Sequence, residues 1–125
     1  MQRLDMIPRP DWPKKMEDLG FSFHSIDGIY WDERNCYRFT AKEVDTLEDA
    51  TAELHEMCIA AAGHVIDRGA YERFAIPPQF IPMIERSWND DEATLFGRFD
   101  LSWDGFGEPK MLEYNADTPT SLIEA

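Results

Sequence analysis

The chain has 125 residues, of which 43% are hydrophobic and 13% aromatic, which argues against disorder and leaves room for one domain rather than two. Its 25 acidic residues outweigh 12 basic ones, for a formal net charge of −13. That field repels phosphate backbones and anionic membrane surfaces, and it suits cations, either metal ions or polyamine-like amines.

Nucleic acid and membrane are therefore not expected partners. No apolar run approaches the ~20 residues that cross a bilayer. The opening "MQRLDMIPRPDWPKK" lacks the apolar stretch of a secretory signal. Cys36 and Cys58 show neither disulfide-framework nor zinc-ribbon spacing. Both are expected reduced and buried, with the cytoplasm as the expected address.

Residues 1–40 read as irregular and aromatic-rich. In "RPDWPKKMEDLGF", Asp11 can cap a short helix that tolerates Pro13 in its first turn and ends at Gly20. "FSFHSIDGIYWDERNCYRF" mixes rings with turn residues, as short strands or as a loop packed by its aromatics. Next, Thr40 and Glu43 form a capping-box pattern. Val44, Leu47, Leu54, Cys58, Ala61 and Val65 follow at helical steps, predicting a helix over 41–67 with that stripe turned to a core. Glu43, Glu48, Asp49, Glu53 and Glu56 form its solvated face, and Gly69 is a plausible stop. "AIPPQFIPMIERSW" predicts a loop and a Pro-started helix through about Trp88.

From Thr94 the period changes to two. Leu95, Gly97, Phe99, Leu101 and Trp103 alternate with Phe96, Arg98, Asp100 and Ser102. "DGFGEP" supplies a turn and "KMLEYN" a return strand. The closing "ADTPTSLIEA" reads as a helix start, with Asp117 or Thr118 as cap and Pro119 in first position. Only a few residues of that helix are present, so the chain is expected to be truncated.

A symmetric loop sets Trp103 opposite Lys110, Asp100 opposite Glu113 and Arg98 opposite Asn115. Arg98, Asp100, Glu113 and Asn115 then share one face, while Phe99, Leu101, Leu112 and Tyr114 supply an apolar face for a core. Two facing carboxylates destabilise a hairpin, and Mg²⁺, which takes carboxylate and phosphate oxygens, would offset the repulsion. Asn115 adds an amide oxygen and Arg98 can hold a phosphate bidentately. Backbone N–H groups at a helix start over 118–121 would suit an anion. An exposed polar sheet face with a local Arg–acid pair is the competing reading, and spacing leaves the two open.

"GRFD" followed by "LEYNADTPTS" resembles the glutathionylspermidine synthase-like family of circularly arranged ATP-grasp ligases, and within it the single-function acid–amine ligases. "RPDWPKKMEDLGFSFH" and "TAELHEMC" are similar to the same branch, so the resemblance spans essentially the whole chain. It implies that Arg98 contacts ATP and the transferring phosphoryl group, and that Asp100 binds Mg²⁺. Glu113, bridging two ions, and Asn115 would complete the metal set. Thr118 and Thr120 correspond to substrate-contacting hydroxyl residues, where serine is usual in glutathione-using members. The partners implied are a small peptide-like acid and an amine, with polyamines among the candidates. Family members run several hundred residues further, so this chain alone is expected to be incomplete and inactive.

Other candidates are weaker. His55 and Cys58 stand at i, i+3, but without a second pair they read as a rim histidine and a packed cysteine. His24 and His64 have no motif. Gly97, Gly105 and Gly107 make no phosphate-cradling loop. A carboxylate-pair hydrolase using Asp100 and Glu113 needs one raised pKa, which Arg98 opposes.

The expected fold is α+β. A pre-ATP-grasp-type segment with a long helix (1–93) precedes the first β-hairpin of an ATP-grasp sheet (94–125). The expected function is ATP-dependent acid–amine ligation through an acyl phosphate. The alternative is a non-catalytic remnant or interaction module that retains the metal-site hairpin and self-associates through an open sheet edge.

Overall fold

The computed structural model describes residues 1–118 and 122. Its elements in order are β1 (Gln2–Asp5), α1 (Trp12–Asp18), β2 (Asn35–Arg38), α2 (Ala41–Arg68), α3 (Ile81–Asn89), β3 (Gly97–Ser102) and β4 (Lys110–Ala116), with 3-10 turns at Tyr71–Phe74 and Pro78–Phe80. The fold is α+β, with one long helix and two separate two-stranded antiparallel sheets.

β1 corrects the reading of residues 1–40 as irregular. It pairs with β2 from Gln2 opposite Arg38 to Asp5 opposite Asn35, and Met6 N–H donates to the Arg34 carbonyl at 2.8 Å to continue the ladder. Four residues carry too little alternation to announce a strand. Asp11 does precede α1, but its carboxylate makes no cap hydrogen bond and instead pairs with Lys15 at 3.3 Å. The loop between α1 and β2 is packed by its rings. Phe21 is fully buried, with Phe23 at 4.3 Å and Trp31 at 5.9 Å between ring centroids.

Two ion pairs pin the far end of that loop. Arg9 forks onto Glu33, with its Nε 3.0 Å from Oε1, and Arg34 clasps Asp32 with its Nη2 at 2.7 Å. These guanidinium hydrogen bonds hold both carboxyls down to about 2.

α2 follows its sequence signals closely. Thr40 accepts from the Glu43 N–H while the Glu43 side chain accepts from the Thr40 N–H, a complete capping box. Gly69 ends the helix at φ +59°, a left-handed conformation that glycine adopts without a Cβ clash. The predicted burial of its apolar stripe is not met. Leu47, Leu54, Cys58 and Val65 are half-buried, Val44 and Ala61 are exposed, and none of the helix is fully buried.

α3 crosses α2 where Trp88 lies over Gly63; a Cβ on that glycine would sit 3.0 Å from the indole. The Tyr71 hydroxyl donates to Glu85 at 3.1 Å and ties the 3-10 turn after α2 to α3. The buried side chains among the described residues are Met16, Phe21, His24 and Tyr71. The accessible surface is 9913 Å², against about 6,900 Å² for a compact monomer of this mass. No helix of the described residues is long and apolar enough to cross a membrane.

Candidate functional site

The β3–β4 hairpin pairs Arg98 with Asn115, Phe99 with Tyr114 and Asp100 with Glu113. Because strand residues alternate sides, Arg98, Asp100, Glu113 and Asn115 share one face. Beyond Asp100 the register slips, so that Leu101 faces Met111 and Ser102, not Trp103, faces Lys110. The symmetric loop is thereby corrected. The extra residue is Leu112, which stands without a pairing partner and is 69% exposed rather than part of an apolar core face. A bulge of this kind bends one strand and re-aims its neighbours, and here it lies next to Glu113.

Arg98 Nε donates to Asp100 Oδ1 at 2.8 Å and Nη2 to Oδ2 at 3.3 Å. Asp100 holds the Arg98 guanidinium above its usual range, first by hydrogen bonding and then by charge, with smaller contributions from Glu113 and Tyr30. Asn115 Nδ2 is buried and finds no hydrogen-bond partner. Such an amide is unsatisfied until a ligand oxygen accepts from it, or until the amide turns its oxygen toward a cation.

The opposite face meets α2. The rings of Phe99 and Tyr114 stack at 4.1 Å with planes 13° apart. The Tyr114 hydroxyl and His55 Nδ1 share a hydrogen bond of 3.2 Å. Burial, followed by Cys58 and Asp117, raises the Tyr114 phenol above its ordinary pKa. A 680 Å³ cavity opens beside this contact, lined by Glu48, Thr51, His55, Phe96, Phe99 and Tyr114 among others.

Asp117 stands just before the helix start expected over 118–121, most of which lies outside the described residues. At φ +51° its Oδ1 accepts from the Leu95 N–H at 3.2 Å, closing the base of the hairpin. Thr118 is exposed without regular structure, while Thr120 and the helix start expected through residue 121 lie outside the described residues. The hairpin turn is built from Gly105 at φ +92° and Gly107 at φ +64°, and Trp103 Nε1 donates to the Gly107 carbonyl at 2.9 Å.

Cys36 and Cys58 are unbridged and half-buried rather than buried. His24 is buried against Trp12, with Ser25 Oγ at 2.8 Å and Glu17 at 3.4 Å. Among the described residues no three His, Cys, Asp or Glu side chains gather to hold a metal. Asp100, Glu113 and Asn115 offer two carboxylates and one amide, an oxygen set suited to Mg²⁺ completed by substrate oxygens. The partnerless Asn115 amide fits such a set with its oxygen turned to the cation. Sequence reasoning missed the His55–Tyr114 pairing. Alternation within "EYN" put Tyr114 on the far face, yet nothing in the sequence aligned it with a helix residue 59 positions earlier.

A family model described as "Glutathionylspermidine synthase preATP-grasp" matches residues 3–125. A Haemophilus influenzae protein named "Putative acid--amine ligase" is 43% identical over 130 residues, covering 100% of this chain and 33% of its own length. Trypanothione synthetase of Crithidia fasciculata is 32% identical over 74 residues, covering 58% of this chain and 11% of its own. The chain thus spans about a third, or less, of the curated relatives it matches.

Proposed function

The chain belongs to the glutathionylspermidine synthase preATP-grasp family, and from that premise we propose that it is the N-terminal part of an ATP-dependent acid–amine ligase. The observation that carries the reading is the Arg98–Asp100 pair set opposite Asn115 and Glu113 on one strand face. The γ-phosphoryl group of ATP passes to the carboxylate of the acid, releasing ADP. The amine nitrogen then attacks the acyl carbon of the resulting acyl phosphate, phosphate leaves, and the amide nitrogen loses its proton.

Arg98 contacts ATP and the transferring phosphoryl oxygens, and is the residue of this chain closest to catalysis. Its pairing with Asp100 holds the guanidinium fork in place before a phosphate arrives, which lowers the ordering cost of binding. Asp100, Glu113 and Asn115 would hold Mg²⁺, with two ions in the assembled site. The metal supplies neutralisation of charge on the phosphate oxygens. Residues 1–93 support this face and residues 94–125 carry it. Thr118 and Thr120 contact the acid.

The acid is read as peptide-like and the amine as a polyamine. The family's name supports both, and the −13 charge supports the amine, because an acidic surface concentrates polycations. The cytoplasm is the proposed site of action, supported by two unbridged cysteines.

Mn²⁺ as a paramagnetic probe tests the reading, with and without ATP. Selective broadening of the Asp100 and Glu113 amides, lost in Asp100→Asn and Glu113→Gln, supports it. Uniform broadening across the acidic surface would remove its basis. A second reading, an interaction module without catalysis, is favoured by the large accessible surface and the unburied α2 stripe. It predicts partner binding that Asp100→Asn leaves untouched.

A further inference from the structure

We propose that His55 and Tyr114 form a positioning pair that holds strand β4 where Glu113 and Asn115 leave it, an inference that rests on reading their face as the Mg²⁺ and ATP face. Tyr114 is flanked by Glu113 and Asn115, and alternation sends its ring to the opposite side. Three residues on two elements, β3 and α2, grip that ring. Phe99, its partner in the register, stacks on it at 4.1 Å. Gly97 leaves it space that a methyl would take, since a Cβ there would sit 2.8 Å from Cε2. His55 on α2 meets its hydroxyl at 3.2 Å.

The bulge makes this grip matter. On its other side Glu113 is followed back along the strand by unpaired, exposed Leu112, so regular pairing and packing restrain Glu113 chiefly from the Tyr114 side. Ring stacking fixes the tilt of Tyr114, but a stacked ring can still slide in its plane. The bond to His55 stops the slide by anchoring the ring to a 28-residue helix. Glu113 and Asn115 inherit that restraint through two peptide bonds. α2 is in this way coupled to the site face without touching a ligand.

The test uses the ¹⁵N-labelled 125-residue chain with Mn²⁺ as the probe. His55→Ala and Tyr114→Phe each remove one hydrogen bond, and the expected loss of Mn²⁺ affinity is about twofold to tenfold. His55→Asn, whose amide can replace Nδ1, is expected to recover most of it. In His55→Ala the Glu113 and Asn115 amide resonances should move, although the substitution is on another element. A fall in melting temperature with Mn²⁺ affinity and those resonances unchanged would overturn the inference and leave a structural tie only. Should the wild-type chain show no local Mn²⁺ broadening, the metal reading falls, and the amide shifts with their recovery in His55→Asn decide the positioning role alone. If His55→Ala does not fold, Tyr114→Phe, which removes one oxygen, decides.

Discussion

At the scale of single residues, close contacts and exposed charges behave oppositely. Gly97 faces the Tyr114 ring with no room for a side chain, so Gly97→Ala should destabilise the hairpin by about 1–3 kcal/mol, the range for overpacking a filled site. Thermal unfolding followed by circular dichroism checks it. The paired carboxyls of Asp32 and Glu33 work through pH instead. Their ordinary values of 3.8 and 4.5 fall to about 2 in the folded chain. The sign follows from linkage: a depressed acid adds stability above its unfolded pKa and loses it as pH falls through the folded one. Arg9→Gln should therefore lower the melting temperature at pH 7, with the gap from wild type narrowing between about pH 4.5 and 2. A gap that stays constant to pH 2 would show that Arg9 acts through packing. The Arg9–Glu33 effect was not legible in the sequence, because the two residues meet only once β1 has paired with β2.

At the scale of elements, legibility tracks how local the cause is. α2 was readable because its start and stop are written within a few residues each: Thr40 with Glu43, and Gly69. Thr40→Ala removes the hydroxyl that accepts from the Glu43 N–H and should cost about 1 kcal/mol, seen as a lower melting temperature and fraying of the first turn in amide exchange. The hairpin was readable for the same reason, as alternation and a Gly-rich turn fix which residues share a face. Its bulge was not. The turn is closed by Trp103 bonding to the Gly107 carbonyl, which shortens the loop on one side, and no spacing rule says which strand absorbs the extra residue. The four residues of the candidate site survive this slip because they lie between the bulge and the open end, where the predicted register holds.

At the scale of the whole molecule, surface is the dominant quantity. The accessible area exceeds that of a compact monomer by roughly 3,000 Å², several times the ~800 Å² that each partner contributes to a standard interface. Much of it is apolar: Leu95 is 91% exposed and Phe106 84%, with Met57, Ile59 and Met83 also exposed on α2 and α3. Among the described residues, two sheets of two strands each leave open edges as well, which invite pairing. The sequence stripe on α2 marked a surface meant for contact, but periodicity alone does not say whether the contact lies within the chain. Against association stands the net charge of −13, a repulsion that salt screens over a Debye length of about 8 Å at physiological ionic strength. The 125-residue chain should therefore be monomeric at low salt and self-associate as salt rises, a dependence opposite to that of an ion-pair interface. Leu95→Glu with Phe106→Glu should suppress the association while leaving Arg98, Asp100, Glu113 and Asn115 in place. Sedimentation velocity across a salt series measures it. A monomer at every salt concentration would mean that the exposed apolar surface is too dispersed to bind a second copy, and would direct attention to a different polypeptide as the surface's partner.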